Sequence, residues 1–136
     1  MRHGLPRNSL YAENRSATPP VRDWQFANLQ THKGSDMIVV SGTLQFDPAQ
    51  QEATIAATAA LVAATLEEPG CHTYGFWPSS TEPGLFRVFE EWESEEAMGA
   101  HFSTPHMAEF MGAAGELGIS ATDIQRYDVS AKSKLM

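Results

Sequence analysis

The order of strand-like and helix-like segments after residue 36 constrains the fold of this 136-residue chain more than any other feature. The run from Met37 to Phe46 is β-branched and largely apolar, which is typical of a strand covered on both faces. Asp47-Pro48-Ala49-Gln50 then supplies a capping acceptor and a proline at the first helical position. A helix is therefore predicted to begin here, to run to Glu68 and to end at Pro69-Gly70.

The first helix is rich in alanine, and its larger apolar residues recur at a helical spacing. Ile55, Ala59, Val62 and Leu66 lie at i, i+4, i+7 and i+11. This spacing places them on one side of a helix, so they are predicted to form the stripe that is buried against the rest of the protein.

The second half of the chain predicts a hairpin, a broken helix and a last strand. Cys71 to Trp77 and Leu85 to Trp92 read as two strands joined by a turn rich in proline, serine and glycine. Ser94 is a predicted cap of a second helix, which Thr104-Pro105 restarts after a break. Asp123 to Val129 alternates like a strand with one exposed side. The predicted element order is therefore β-α-β-β-α-β.

This order is the split βαβ arrangement, and it predicts an α+β fold, a ferredoxin-like sandwich with a four-stranded antiparallel sheet. Both helices would cover one face of the sheet and leave the other face bare. Because the first strand and the hairpin are apolar on both sides, the bare face is expected to pack against the same sheet of a second copy. The chain is therefore predicted to form a homodimer.

The chain divides at about residue 36. Residues 1–36 contain five of the nine basic residues, several turn-forming residues and few apolar ones, and they are predicted to form an N-terminal arm. Residues 37–136 contain all the regular hydrophobic patterns and are predicted to form the folded domain.

Composition narrows the possible partners. Acidic residues outnumber basic ones by 17 to 9, for a net charge of −8, so neither nucleic acid nor an anionic membrane surface is expected as a partner. No stretch approaches the roughly 18 apolar residues of a membrane span, and no apolar signal core follows the first residues. The single cysteine, Cys71, has no partner for an internal disulfide. Together these features predict a cytoplasmic protein.

Three motifs carry a family resemblance. They read E-P-G-C-x-x-Y at 68–74, F-E-x-W-x-S-x-E-A at 89–97 and H-x-x-T-P-H at 101–106. In this order and spacing, over residues 37–130, the chain resembles the antibiotic biosynthesis monooxygenase (ABM) family, whose members are dimeric α+β-barrel proteins.

The resemblance implies an enzyme that oxidises a quinol or a polycyclic phenol with molecular oxygen and without bound flavin, metal or haem. No cofactor is therefore expected. The expected partners are a hydrophobic aromatic small molecule, dioxygen and a second copy of the chain.

His101 is the predicted catalytic base. On the second helix it shares a face with Met98 and Phe102, so it is expected to point towards the sheet, and a neutral imidazole accepts a proton from an acidic phenol. The alternative is a capping or core histidine that hydrogen-bonds the helix break or a strand carboxylate such as Glu90.

Tyr74 and Trp92 are predicted to form aromatic walls and hydrogen-bond donors for a developing oxyanion, and are counted with His101 as catalytic. Two-residue periodicity predicts that Tyr74 shares a strand face with His72 and Phe76. The alternative is that these aromatic residues only pack in the core.

Further residues are predicted to bind the substrate because they share these faces or lie near the predicted base. They are His72, Glu90, Phe102, His106, Met107, Phe110 and Met111. For several of these residues a supporting role is the alternative. His106 would support the turn, Met107, Phe110 and Met111 would fill the core, and Glu90 would orient His101 or Arg87. No familiar metal-ligand spacing is present, so no metal site is predicted.

Three functions other than oxidation of a quinol or phenol are alternatives for a protein of this fold. Haem degraders of this fold carry an asparagine, a tryptophan and a ligating histidine where this chain has Gly42, His101 and Met111, so haem oxygenase activity is not expected. An isomerase of a phosphorylated sugar needs basic residues, which are sparse after residue 36. A non-catalytic or regulatory dimer that binds a small molecule is the main alternative.

Overall fold

The computed structural model describes residues 37–136, and the predicted arm lies outside the described residues. The regular elements follow the predicted order, with the second helix divided in two. They are β1 Ile38–Gln45, a 3-10 turn Pro48–Gln50, α1 Gln51–Thr65, β2 Cys71–Pro78, β3 Leu85–Trp92, α2 Glu95–His101, α3 Pro105–Ala114 and β4 Ala121–Asp128. Residues 129–136 contain neither helix nor strand.

The four strands form one antiparallel sheet in the order β2-β3-β1-β4. Gly42, at the centre of β1, lies opposite Val88 of β3 and Ile124 of β4. A Cβ atom at Gly42 would clash with the carbonyl oxygen of Asp123, so this close approach of β1 and β4 requires glycine. The predicted α+β, ferredoxin-like fold with a four-stranded antiparallel sheet is confirmed.

The predicted helix starts are confirmed by their capping hydrogen bonds. The Asp47 carboxylate accepts from the backbone N–H of Ala49 at 2.9 Å and opens the 3-10 turn that leads into α1. Ser94 caps α2 in the same way, and the Thr104 hydroxyl accepts from the N–H of Met107 at the start of α3. These local signals satisfy N–H groups that the first turn of each helix leaves unpaired.

The predicted buried stripe of α1 is wrong. Thr54, Thr58, Leu61 and Thr65 face the core, whereas Ile55 and Leu66 are 43% and 48% exposed. Two of these threonines suit burial because their hydroxyls donate to backbone carbonyls one turn earlier, Thr54 to Gln50 and Thr58 to Thr54. With alanine on most sides, α1 has little apolar asymmetry of its own, and the shape of the sheet decides which face it buries.

The core lies between the sheet and the three helices. Alternate residues of β1 and β3 point towards the helices, and with apolar residues of the helical layer they form one cluster, whose aromatic members are Phe46, Tyr74, Phe86, Trp92 and Phe110. The opposite face of the sheet carries Val39, Phe89 and the half-exposed Trp77 and Tyr127. No helix within residues 37–136 is long and apolar enough to cross a membrane.

Candidate active site

A cavity of about 470 Å³ lies between the sheet and the pair α2 and α3. Strand residues form its floor, residues of α2 and α3 form its roof, and most of the lining is apolar. Its lining includes Val40, Leu44, Tyr74, Phe76, Val88, Glu90, His101, Phe102, Met107, Phe110, Met111 and Ile124. A concave, mostly apolar space with a few polar groups is the usual form of a small-molecule site.

His101 is the last residue of α2 and is only 1% exposed, as its predicted direction towards the sheet requires. Its ring packs against Trp92 and Tyr74, with centroids 5.0 and 5.2 Å away. Its Nδ1 atom lies 2.8 Å from the carboxylate of Glu68, while Nε2 has no hydrogen-bond partner among the described residues. The buried imidazole therefore has one nitrogen held by a carboxylate and one nitrogen without a partner.

Glu68 is the site residue that the sequence interpretation missed. It lies in the turn between α1 and β2, where Gly70 adopts a positive φ of 83°. Its Oε2 atom faces His101 Nδ1 at 2.8 Å and His106 Nε2 at 2.6 Å. Glu68 is the first residue of the E-P-G motif, but the sequence predicted only the end of a helix at this position. The motif was the sequence signal that could have identified Glu68 as a candidate site residue.

Glu68, His101 and His106 are also a group of described residues that could hold a metal ion, since their ligand atoms lie within 4.8 Å of one another. One carboxylate and two imidazoles form a donor set that zinc or iron accepts. In the observed arrangement both imidazoles instead lie at hydrogen-bond distance from the same carboxylate oxygen. The absence of a metal site stays a prediction from sequence.

Glu90 brings a second carboxyl group to the cavity. It is 6% exposed and lies on the floor, opposite Val40 of β1 and Tyr74 of β2. Burial raises the pKa of Glu90 to about 7; the nearby Trp92 indole opposes this rise, and the negative charge of Glu68 adds to it. The Trp92 nitrogen nevertheless lacks a partner of good hydrogen-bond geometry among the described residues. Glu90 thus exchanges a proton near neutral pH.

Tyr74 lies beside Glu90 in the same cavity and is 6% exposed. Burial raises the pKa of its phenol well above the ordinary value, and the negative charge of Glu90 adds to this effect. The hydroxyl of Tyr74 therefore stays protonated and remains a hydrogen-bond donor throughout the physiological pH range.

The prediction that His72 shares a strand face with Tyr74 is wrong. A register shift between Cys71 and Thr73 interrupts the pairing of β2 with β3, so the two-residue alternation fails at this point. His72 is exposed and is not among the residues that line the cavity. Tyr74 and Phe76, which follow the shift, keep the predicted common face.

The other predicted site residues separate into two groups. Phe102, Met107, Phe110 and Met111 line the cavity, and of these Phe102 and Met111 are 59% and 62% exposed at its rim. The remaining two lie behind it: Trp92 is fully buried against the rings of Tyr74 and His101, and His106 binds Glu68.

The suggestion that Glu90 orients His101 or Arg87 is wrong. The partner of His101 is Glu68, which the turn after α1 brings to Nδ1. Arg87 alternates to the opposite face of the sheet, where it donates to the Ser41 hydroxyl. Glu90 faces the cavity instead.

This fold and this cavity define a ferredoxin-like α+β protein with a mostly apolar cavity between its sheet and two of its helices. Residues 37–113 match the family described as antibiotic biosynthesis monooxygenase. The chain belongs to that family, and membership supports a general monooxygenase-like role.

Similar proteins agree with this assignment. An uncharacterised protein of Synechocystis sp., sll1783, is 33% identical over 104 residues, which cover 76% of this chain and 71% of the relative. A crystal structure from Caulobacter crescentus, described as a "putative antibiotic biosynthesis monooxygenase", is 30% identical with a TM-score of 0.65, over 70% of this chain and 91% of its own. A structure of the same description from Deinococcus radiodurans, 23% identical with a TM-score of 0.68 over 73% and 98% of the two chains, shares the fold.

Proposed function

We propose that this protein is a cofactor-independent monooxygenase that oxidises a quinol or polycyclic phenol with molecular oxygen, and that His101 is its base. The observation that carries the proposal is the unpartnered Nε2 atom of a buried histidine that lines an apolar cavity. An unsatisfied buried nitrogen is unfavourable unless a ligand or a water molecule completes its hydrogen bond. A phenolic O–H group supplies the missing donor.

The walls of the cavity favour a flat aromatic ligand. Tyr74, Phe76 and Phe110 present ring surfaces, and Phe76 and Phe110 pack with centroids 5.8 Å apart. A volume of about 470 Å³ falls within the range of drug-sized ligand sites. The exposed side chains of Phe102 and Met111 would contact the part of the ligand that lies nearest the rim.

The proposed reaction begins with proton transfer from the phenol to Nε2 of His101. The resulting electron-rich phenolate gives one electron to dioxygen, and the two radicals combine at a ring carbon to form a peroxide. The peroxide loses water and leaves a quinone. One oxygen atom enters the product and the other enters water, so the phenol supplies all four electrons and no other reductant is needed.

Tyr74 and Glu90 have proposed supporting roles. The Tyr74 hydroxyl stays protonated, so it donates a hydrogen bond to negative charge that develops on the substrate oxygen. Glu90, with its pKa of about 7, donates to or accepts from a second oxygen of a quinol. Trp92 supports the rings of Tyr74 and His101 from behind.

Oxygen uptake with a panel of naphthols and naphthohydroquinones tests the proposal. General-base catalysis contributes roughly 100- to 10,000-fold, so His101→Ala should lose a factor of that size while Glu109→Gln, on an exposed position of α3, keeps the parental rate. With ¹⁸O₂, one labelled atom should appear in the quinone. A parental rate in His101→Ala would exclude His101 as the base.

The same panel separates the enzyme from a non-catalytic or regulatory binding protein. An enzyme consumes oxygen with at least one compound that it binds. Saturable binding of several aromatic compounds with no oxygen uptake by the parent protein would contradict the monooxygenase proposal and favour the binding protein.

We also propose that the open face of the sheet packs against the same face of a second copy. Val39 and Phe89 lie on this face beside the half-exposed Trp77 and Tyr127, an apolar group that is unfavourable in water. Light scattering should therefore give about twice the chain mass of 14.9 kDa. A mass of one chain at micromolar concentration would contradict the homodimer.

A further inference from the structure

We infer that Glu68 is the positioning residue of the site: it fixes the proton of His101 on Nδ1, leaves Nε2 free for the substrate, and is itself held by His106. This inference deepens the proposed function and rests on it. It gives defined roles to two residues outside the cavity lining: Glu68, which was not among the predicted site residues, and His106, which was.

The first step of the argument is the chemistry of the shared oxygen. An ionised carboxylate only accepts hydrogen bonds, so each imidazole nitrogen that faces Glu68 Oε2 must carry its proton. His101 Nδ1 at 2.8 Å and His106 Nε2 at 2.6 Å are both such donors. A neutral His101 with its proton on Nδ1 has a lone pair on Nε2, the atom that lacks a partner.

The second step is the position of the negative charge. The Glu68 side chain is 10% exposed, and no lysine or arginine of residues 37–136 forms an ion pair with it. A carboxylate in such a place interacts strongly with a positive charge that forms 2.8 Å away. When His101 takes the substrate proton and becomes an imidazolium, Glu68 is its counter-ion, and the pair is formed without any movement of the side chains.

The third step is the path of the proton. In the proposed reaction the phenolic proton and the hydrogen of the attacked ring carbon both end in the water that leaves the peroxide, so no proton is released to solvent. His101 therefore has to hold the proton through the oxygen step and then return it to the peroxide. The side chain of His101 is 1% exposed, which keeps this proton from exchanging with solvent, and Glu68 stabilises it.

His106 has a supporting part in the arrangement. Its side chain is 23% exposed, and its Nε2–H group holds the same Oε2 atom that accepts from His101. The two donors come from different elements, the end of α2 and the first turn of α3, and together they fix the direction of the carboxylate.

Two measurements test the inference, and the first needs no activity. In the parent protein, ¹⁵N NMR at neutral pH should show His101 protonated on Nδ1 and unprotonated on Nε2. The opposite tautomer would overturn the inference. If the parent consumes no oxygen with any compound but shows the expected tautomer, the proposed function fails while the assignment of the proton stands.

The second measurement compares Glu68→Gln with Glu109→Gln over a range of substrate concentrations up to saturation. Glutamine keeps an oxygen that accepts from Nδ1 but lacks the charge that stabilises the imidazolium. The kcat value should therefore fall by at least about 10-fold and by up to about 10,000-fold, with KM within about twofold of the parent. His106→Gln, which retains an N–H donor, should lose less than His106→Phe. An unchanged kcat in Glu68→Gln, or a rise in KM alone, would overturn the inference.

A metal ion is the competing explanation of the same three side chains. Elemental analysis of the purified protein should give far less than one transition-metal ion per chain, and chelator treatment should leave the rate unchanged. One tightly held zinc or iron per chain would overturn the inference, because a metal on Nδ1 of His101 replaces the proton that Glu68 is inferred to hold.

Discussion

Two apolar hollows of similar size lie beside the helices, and most of their buried ionisable residues line one of them. The cavity below α2 and α3 measures about 470 Å³, and the groove between α1 and the edge strand β2 measures about 540 Å³. The groove is lined mainly by residues of α1 and β2, including Ile55, Val62, Leu66, Phe76 and Trp77. By volume alone, the groove would be the larger candidate site.

The difference lies in the polar groups. The cavity has His101 and Glu90 in its walls, both almost fully buried, whereas Tyr74 is the one ionisable side chain of the groove lining and it lines the cavity as well. Three large groove residues, Ile55, Leu66 and Trp77, are about half exposed, so the groove is open. The cavity is therefore the better candidate site, because it is the less open of the two hollows and its lining includes buried ionisable groups.

The largest expected effect on stability is at the cavity roof. Phe110 is 6% exposed and packs against the rings of Phe76 and Phe46. Phe110→Ala should lower the free energy of unfolding by about 3 to 5 kcal/mol, because it removes buried apolar surface and leaves a void. Urea unfolding measures this. A loss below about 1 kcal/mol would mean that the cavity roof is as loosely packed as the groove.

The second effect concerns Glu90 and depends on pH. Its native pKa of about 7 is raised from an ordinary value of 4.5, so between these values the native state binds a proton that the unfolded chain has lost. The free energy of unfolding therefore falls by about 3 kcal/mol as the pH rises from 4.5 to about 7. Above that pH, Glu90 contributes little further change. Urea unfolding from pH 4.5 to 8 should show this slope in the parent and a smaller slope in Glu90→Gln.

The control for this experiment is Glu109→Gln, which should keep the parental slope because Glu109 is exposed. An identical slope in Glu90→Gln would contradict the raised pKa. It would also remove the main electrostatic difference between the floor of the cavity and the lining of the groove.

The third, smaller effect is on ligand binding, and it is measured by matched substitutions in the cavity and in the groove. Met111 at the cavity rim and Leu66 in the groove are both exposed by about half or more. Met111→Lys should weaken binding of a naphthol about tenfold, which corresponds to about 1.4 kcal/mol, whereas Leu66→Lys should leave it unchanged. Fluorescence titration measures both. Equal loss in the two variants would place the ligand across both hollows.

The smallest effect is expected for the stripe that the sequence predicted to be buried. Ile55 is 43% exposed, and alanine is the better helix former, so Ile55→Ala should change the free energy of unfolding by about 0.5 kcal/mol or less. Chemical unfolding of this variant checks the corrected face of α1. A loss of 2 kcal/mol or more would show that another surface covers the groove in solution.

The parts of the fold that the sequence predicted correctly depend on neighbouring residues. The caps at Asp47, Ser94 and Thr104 act within three residues, and the strand patterns alternate along one segment. The errors arose where a longer-range feature intervened. A register shift at His72 reversed the expected side of the strand, and the shape of the sheet selected the threonine face of α1 over the Ile55 face.

The same contrast between local and long-range features applies to the candidate site. A helical face of three residues was enough to predict that His101 points inward, and the cavity lining includes all four apolar residues predicted to bind the substrate. Glu68 could not be assigned from local pattern, because it is 33 residues from His101 and 38 residues from His106. Glu90 was singled out among the acidic residues and lines the cavity, but it was given the wrong partner.

The amino-acid sequence by itself determined the order of the strands and helices, their starts, and the presence of a histidine on the inner face of a helix, because each of these depends on backbone chemistry within a few residues. Only the tertiary structure decided which carboxylate meets that histidine and which hollow contains buried ionisable groups. Contacts between residues more than 30 positions apart exist only once the helices have packed on the sheet, and it is that packing that brings the Glu68 carboxylate to Nδ1 of His101.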